Sequence, residues 1–207
     1  MRFSKQKSEK KFRGVSLKEI RWTRRKKIIL LALSVGLIGL GAYLGLLLLA
    51  PNATKLPVKS AVDLDTSDDA NDARDRIQIE KINLEVPFYT GAADSLEKGA
   101  WHRYPERGDP VQGGNFILSA HRFRIAQDPI LTKERSPFYN LDKLAVGDSM
   151  RIFYKGNWYD YSVTKIYDVK PDAVEIEAPS DEAKLTLYSC TLSGSADGRI
   201  VVEAKLQ

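Results

Sequence analysis

The feature that most constrains this 207-residue chain is the stretch from Ile28 to Ala50, 23 consecutive residues without a single charge. At 1.5 Å rise per residue such a helix is about 35 Å long, enough to cross a hydrocarbon core of about 30 Å with some tilt. A transmembrane helix over 28–50 therefore divides the chain, and membrane lipid is its expected partner. A cleaved signal peptide would carry an apolar region of about 7–15 residues ending in a small-x-small site. Leu46-Leu47-Leu48-Leu49-Ala50-Pro51 offers no such site, so the span is read as a retained anchor.

The formal charge of +5 is the sum of two unlike parts. Twelve of the 32 Lys and Arg lie in residues 1–27 against only Glu9 and Glu19, which leaves 20 basic and 25 acidic residues for the rest. A basic arm can suggest nucleic acid, but this one ends directly at the span with Arg24, Arg25, Lys26 and Lys27. Its charge is assigned to orientation: residues 1–27 are expected in the cytoplasm, by the positive-inside bias, with no nucleic-acid partner. Residues 51–75, rich in Pro, Asn, Thr, Ser and Ala with six aspartates, read as a flexible linker. Residues 76–207 are then one folded domain on the far side of the plasma membrane. About 130 residues suffice for one hydrophobic core.

The periodicity of that domain is mainly that of short strands, around Ile77–Ile79, Asn115–Ala120, Met150–Tyr154, Trp158–Thr164, Ile166–Val169, Lys184–Ser189 and Arg199–Leu206. A Gly-Asn turn at 156–157 between two of them is a hairpin signal. A helical turn or short helix is expected around Phe138–Leu144. Few helices and seven or so strands argue for a mainly β domain, a barrel or a sandwich. Periodicity does not choose between these.

Cys190 is the sole cysteine, at the end of the apolar run Lys184-Leu185-Thr186-Leu187-Tyr188-Ser189. It cannot form a disulfide within the chain or belong to a multi-cysteine zinc cluster. The remaining readings are a packed small hydrophobe, an intermolecular link or a nucleophile. An exposed thiol outside the cytoplasm is prone to oxidation, which favours a purpose for it. Only two histidines, His102 and His121, are present to assist. His121 leaves a strand, where a ring can face a cleft, whereas Trp101-His102-Arg103-Tyr104-Pro105 reads as a loop. No P-loop, dinucleotide fingerprint, H-E-x-x-H or paired-cysteine pattern is present, so no cofactor and no metal are expected.

The ordered motifs of residues 76–207 resemble the sortases, membrane-anchored cysteine transpeptidases of bacterial surfaces. Gly113-Gly114-Asn115-Phe116-Ile117-Leu118-Ser119-Ala120-His121-Arg122 is similar to the family's Gly-Asn strand ending in Gly-His-Arg. Pro137 to Leu144 with Gly147-Asp148 is similar to its Phe-x-x-Leu-x-x-Leu-x-x-Gly-Asp segment. Thr186-Leu187-Tyr188-Ser189-Cys190 resembles its Thr-Leu-x-Thr-Cys signature, and Arg199 before Ile200-Val201-Val202 its final-strand arginine. Ser189 stands in place of the usual Thr, and Ala120 in place of the more frequent Gly.

The resemblance implies a sortase-like β-barrel of about eight strands with short helices, in which Cys190, His121 and Arg199 converge as the catalytic residues. Ser189 and Thr186 are expected to support substrate or oxyanion. Asp197 and Asp148 are weaker candidates as orienting groups. The implied activity cleaves a C-terminal sorting signal of surface proteins through a thioester and transfers them to an amine on a cell-wall precursor. Pilin polymerisation, simple hydrolysis and a non-catalytic binding module remain as alternatives.

Overall fold

The computed structural model describes residues 24–52 and 74–207. The basic arm up to residue 23 and the linker from 53 to 73 lie outside the described residues. Helix α1 (Arg24–Leu49) begins within the run of four basic residues and continues through the apolar stretch. Apart from the buried Leu47, its large apolar side chains are exposed; Leu37 and Ile38 are about 70% exposed (69% and 72%). A helix apolar all round has no stable place in water, and this one is long and apolar enough to cross a membrane.

The folded domain is a closed barrel. Its strands are β1 (Arg76–Ile79), β2 (Leu84–Tyr89), β3 (Ala100–Arg103), the two-residue β4 (Gly108–Asp109), β5 (Gly113–Ser119), β6 (Ser149–Tyr154), β7 (Asn157–Val169), β8 (Lys184–Thr191) and β9 (Gly194–Leu206). The order β3-β2-β1-β6-β7-β9-β8-β5 is closed by pairing of β3 with β5, and β4 is a spur on β5. Eight strands thus form the wall, and closure removes the exposed edges that would template aggregation.

Alternation fixes which face is which. Phe116 and Leu118 of β5, Leu185 and Leu187 of β8, and Ile200, Val202 and Ala204 of β9 join Ile77, Ile79, Met150 and Ile152 in one interior core. Their neighbours Ile117, Tyr188 and Val201 face outward, yet they are buried beneath Ile176 of the short helical segment Val174–Glu177. The barrel therefore carries a second, smaller apolar layer outside the β5-β8-β9 wall.

The hairpin is present, but its turn is centred on Lys155 and Gly156, both with positive φ (49° and 85°), the twist that a two-residue hairpin requires. The strands expected at 158–164 and 166–169 are one strand, β7, with a register shift between Val163 and Lys165. The expected short helix is a 3-10 turn, Leu141–Lys143. The segment of His102 is strand β3 rather than a loop, and a helix at Pro129–Glu134 (α2), capped by Asp128, adds to the sequence reading.

Candidate active site

Strands β5 and β8 run parallel in a register that pairs Asn115 with Lys184 and ends with Ser119 beside Tyr188. Two further bonds continue the contact past the ladder. The Ala120 amide donates to the Tyr188 carbonyl at 3.4 Å, and the buried Ser189 hydroxyl donates to the Ala120 carbonyl at 2.7 Å. His121 and Cys190 are the next residues along the two chains. On the other side of β8, Cys190 is the antiparallel partner of Arg199 in β9. Cys190 and Arg199 are therefore neighbours on adjacent strands about 4.8 Å apart, while His121 follows the Ala120–Ser189 contact on the other side of β8.

Cys190 and Arg199 both belong to the outward parity. In β8 the interior positions are Leu185, Leu187 and Ser189, so Cys190 shares its face with Tyr188; in β9 Arg199 shares its face with Val201. The Cys190 thiol is free and half-buried. A thiol so placed is reachable by a peptide while packed on one side, unlike the inert cysteines of protein interiors.

Arg199 is held by its own connection. Its Nη1 donates to the carbonyls of Ser195 and Gly198, both at 2.8 Å. Residues 195–198 bulge from the ladder between the Thr191–Gly194 and Cys190–Arg199 pairs, and Thr191 Oγ1 donates to Asp197 Oδ2 across the bulge at 2.6 Å. Gly198 is required by close approach: a Cβ there would stand 2.8 Å from the Val169 carbonyl. The guanidinium has five N–H groups, and bonding through Nη1 leaves Nη2 and Nε for a substrate.

His121 is anchored through its backbone, whose carbonyl accepts from the Phe138 amide at 3.2 Å. Its Nε2 lies 3.2 Å from Glu97 Oε1. Glu97 ends the helical segment Ala93–Glu97 and also meets Arg124 at 3.4 Å and Arg135 at 3.8 Å. No sequence motif marks Glu97. The signal lies in a tertiary contact across 24 residues.

The two hydroxyls expected to support substrate are both buried and engaged. Ser189 is on the interior face, bonded to Ala120 as above. Thr186 Oγ1 donates to Asn115 Oδ1 at 2.6 Å, and Asn115 Nδ2 donates to the carbonyls of Ile176 and Ala178. Through this chain Thr186 ties the strand of Cys190 to the Val174–Glu177 segment. Asp148 is spent on Lys81 (2.7 Å) and the Ala145 amide.

On the same face of β8 as Cys190, Tyr188 is part of a buried polar network. Its hydroxyl donates to Glu177 Oε1 at 2.5 Å and accepts from Arg103 Nη1 at 2.7 Å, while Arg103 Nε stands 3.0 Å from the same carboxylate. Burial, reinforced by the Glu177 bond, pushes the Tyr188 phenol well above its usual range. His102 is not near this face: it is 1% exposed in the interior, edge-on to Phe116 with centroids 4.6 Å apart. Among the described residues no three His, Cys, Asp or Glu side chains are grouped to hold a metal.

The closed barrel carries a free, half-buried thiol whose antiparallel partner is Arg199, and His121 lies two residues beyond the end of the parallel neighbour β5. The model of the sortase domain matches residues 77–207, more than half of the chain. The chain belongs to the sortase family. It is 30% identical over 135 residues to sortase D of Bacillus subtilis, covering 62% of this chain and 61% of that protein. It is 27% identical over 133 residues to sortase A of Bacillus anthracis, covering 63% and 58%. The match thus spans about six tenths of each of these relatives. Among solved structures, the Clostridium perfringens sortase D5 transpeptidase superposes with a TM-score of 0.54 at 29% identity, over 65% of this chain and 78% of that one. Sortase C1 of the GBS pilus island 1 gives 0.55 at 29% identity, over 64% and 63%.

Proposed function

We propose that the protein is a membrane-anchored cysteine transpeptidase that joins surface proteins bearing a C-terminal sorting signal to an amine on a cell-wall precursor. The observation that carries this reading is the pairing of Cys190 with Arg199 on β8 and β9, with a Ser189–Ala120 hydrogen bond joining the residues that precede Cys190 and His121. Helix α1 is the candidate anchor, with the N-terminus in the cytoplasm and the barrel outside.

In the proposed cycle the Cys190 thiolate attacks the carbonyl carbon of one peptide bond in the signal. The carbonyl oxygen takes up negative charge, and Arg199 donates hydrogen bonds to it from a group that stays charged at every working pH. The C–N bond then breaks, the departing amine receives a proton from His121, and a thioester remains on Cys190. An incoming amine attacks the thioester, gives a proton to His121 and expels the thiolate. One difficult amide exchange becomes two acyl transfers.

The test uses the full chain in detergent micelles with a library of quenched fluorescent peptides, with and without an added amine such as triglycine or diaminopimelate. Cleavage with amine-linked product, both lost in Cys190→Ala, supports transpeptidation. Cleavage unchanged by amine would assign a hydrolase, and a pilin-derived lysine as the only effective amine would assign pilin polymerisation. No cleavage and no trapped thioester with any peptide would overturn the enzyme reading.

A further inference from the structure

We infer that Glu97 is a positioning residue for His121, acting as the orienting carboxylate of the site; this rests on the transpeptidase reading above. The backbone of His121 is fixed from both sides, by the Ser189 bond to the preceding carbonyl and by the Phe138 amide on its own. These bonds do not fix the ring. The last torsion of a histidine is broad and nearly two-fold, so an imidazole with a fixed backbone still needs a partner to select one of two flips.

Glu97 is that partner, with Oε1 3.2 Å from Nε2. As a carboxylate it only accepts, so Nε2 carries the hydrogen and Nδ1 is left with the lone pair. Proton exchange with amines is thereby assigned to Nδ1. The flip about the last torsion would put Cε1 where Nε2 stands, and the hydrogen bond to Glu97 would be lost.

The carboxylate is itself held. Arg124 Nη2 meets Oε1 at 3.4 Å and Arg135 Nη1 meets Oε2 at 3.8 Å, one guanidinium on each oxygen. Glu97 is 39% exposed and His121 24% exposed, so the contact adds little to stability. Its effect is on geometry, where a misplaced acid-base group forfeits part of a contribution of about 10²–10⁴ in rate. Arg124 follows His121 by three residues and Arg135 closes α2, so three separate segments converge on the ring through one carboxylate.

The test exploits the presence of only two histidines in the chain. In full-length protein labelled with nitrogen-15 histidine in micelles, Glu97→Ala is expected to shift the ring resonances of His121 and leave those of the buried His102 in place. Turnover of a cleaved library peptide is expected to fall about tenfold to a hundredfold in kcat with KM within about twofold. Glu97→Gln, whose amide oxygen still accepts from Nε2, is expected to recover at least part of that loss. Unmoved His121 resonances would overturn the inference whatever the activity, and so would moved resonances with unchanged kcat. If wild type turned over no peptide, the transpeptidase reading would fail on its own, and Glu97 as the orienting contact would then stand or fall on the resonances.

Discussion

The hydroxyl of Ser189 donates to the carbonyl of Ala120 at 2.7 Å, so the residue before the thiol is bonded to the residue before the imidazole. This bond extends the β5-β8 contact one step past its last ladder pair, Ser119 with Tyr188, and ties together the segments that lead into Cys190 and His121. Ser189→Ala removes the donor and leaves a buried carbonyl unpaired, at a cost of about 1–3 kcal/mol. The expected outcome is a lower denaturation midpoint together with a drop of about tenfold or more in kcat. Ser189→Thr keeps the donor and is expected to restore both to within about twofold in rate. Activity unchanged in Ser189→Ala would mean that the placement of Cys190 and His121 is set elsewhere.

Arg199 is braced by carbonyls of a bulge that the Thr191–Asp197 bond closes. Arg199→Lys keeps the charge but loses the planar fork, and a lysine cannot bond the loop carbonyls and a substrate oxygen in the same geometry. A loss of about 10²–10³ in kcat/KM is expected, the scale of a missing oxyanion donor. Asp197→Ala should give a milder loss, about tenfold, with stability almost unchanged because the bond is exposed. A lysine variant as active as wild type would remove the fork from the mechanism.

Thr186 buries its hydroxyl against Asn115, whose amide holds Ile176 and Ala178. If its work is to hold the second apolar layer onto the barrel, Thr186→Val should cost about 1–3 kcal/mol in urea denaturation followed by tryptophan fluorescence. The kcat of the protein that remains folded should stay within about twofold. A large fall in kcat at full stability would return Thr186 to direct substrate support.

The elements that carry the site were the most legible in sequence, because β5 and β8 are long apolar runs that end at chemically distinctive residues. Register supplied what the runs could not: that Ser119 meets Tyr188 in parallel, and Cys190 meets Arg199 across a bulge, depends on pairings far apart in the chain. Strand β3 was hidden because four residues with a histidine between Trp101 and Arg103, followed closely by Pro105, show no apolar alternation. Its inward position is filled by His102 where an aliphatic residue would have declared it. Helix α2 left a signal in Asp128-Pro129, an N-cap followed by proline at the first helical position, but six residues carry no period. Glu97 left none, since a glutamate that closes a 3-10 turn looks like any solvated charge.

His102 links the interior to pH. Its ring is 1% exposed between Phe88 and Phe116, and neither nitrogen makes a hydrogen bond of good geometry. Burial lowers its pKa below the ordinary 6.5, against the opposing pull of the Gly108 backbone and of the carboxylates of Asp109, Asp75 and Glu106. The folded state thus binds the proton less readily than the unfolded chain, and stability rises with pH wherever the unfolded chain is the more protonated. The contribution is fully present above pH 6.5 and is lost as pH falls from 6.5 towards the depressed folded value. Within that window the slope due to this group approaches one proton, about 1.4 kcal/mol per pH unit. Urea denaturation of wild type at pH 7.5, 6.5, 5.5 and 5.0 should show the decline, and His102→Phe, which keeps the edge-on ring packing, should remove this part of it. His102→Leu serves as a second variant if the phenyl ring overpacks the site. Parallel pH profiles for wild type and both variants would place the titrating group elsewhere.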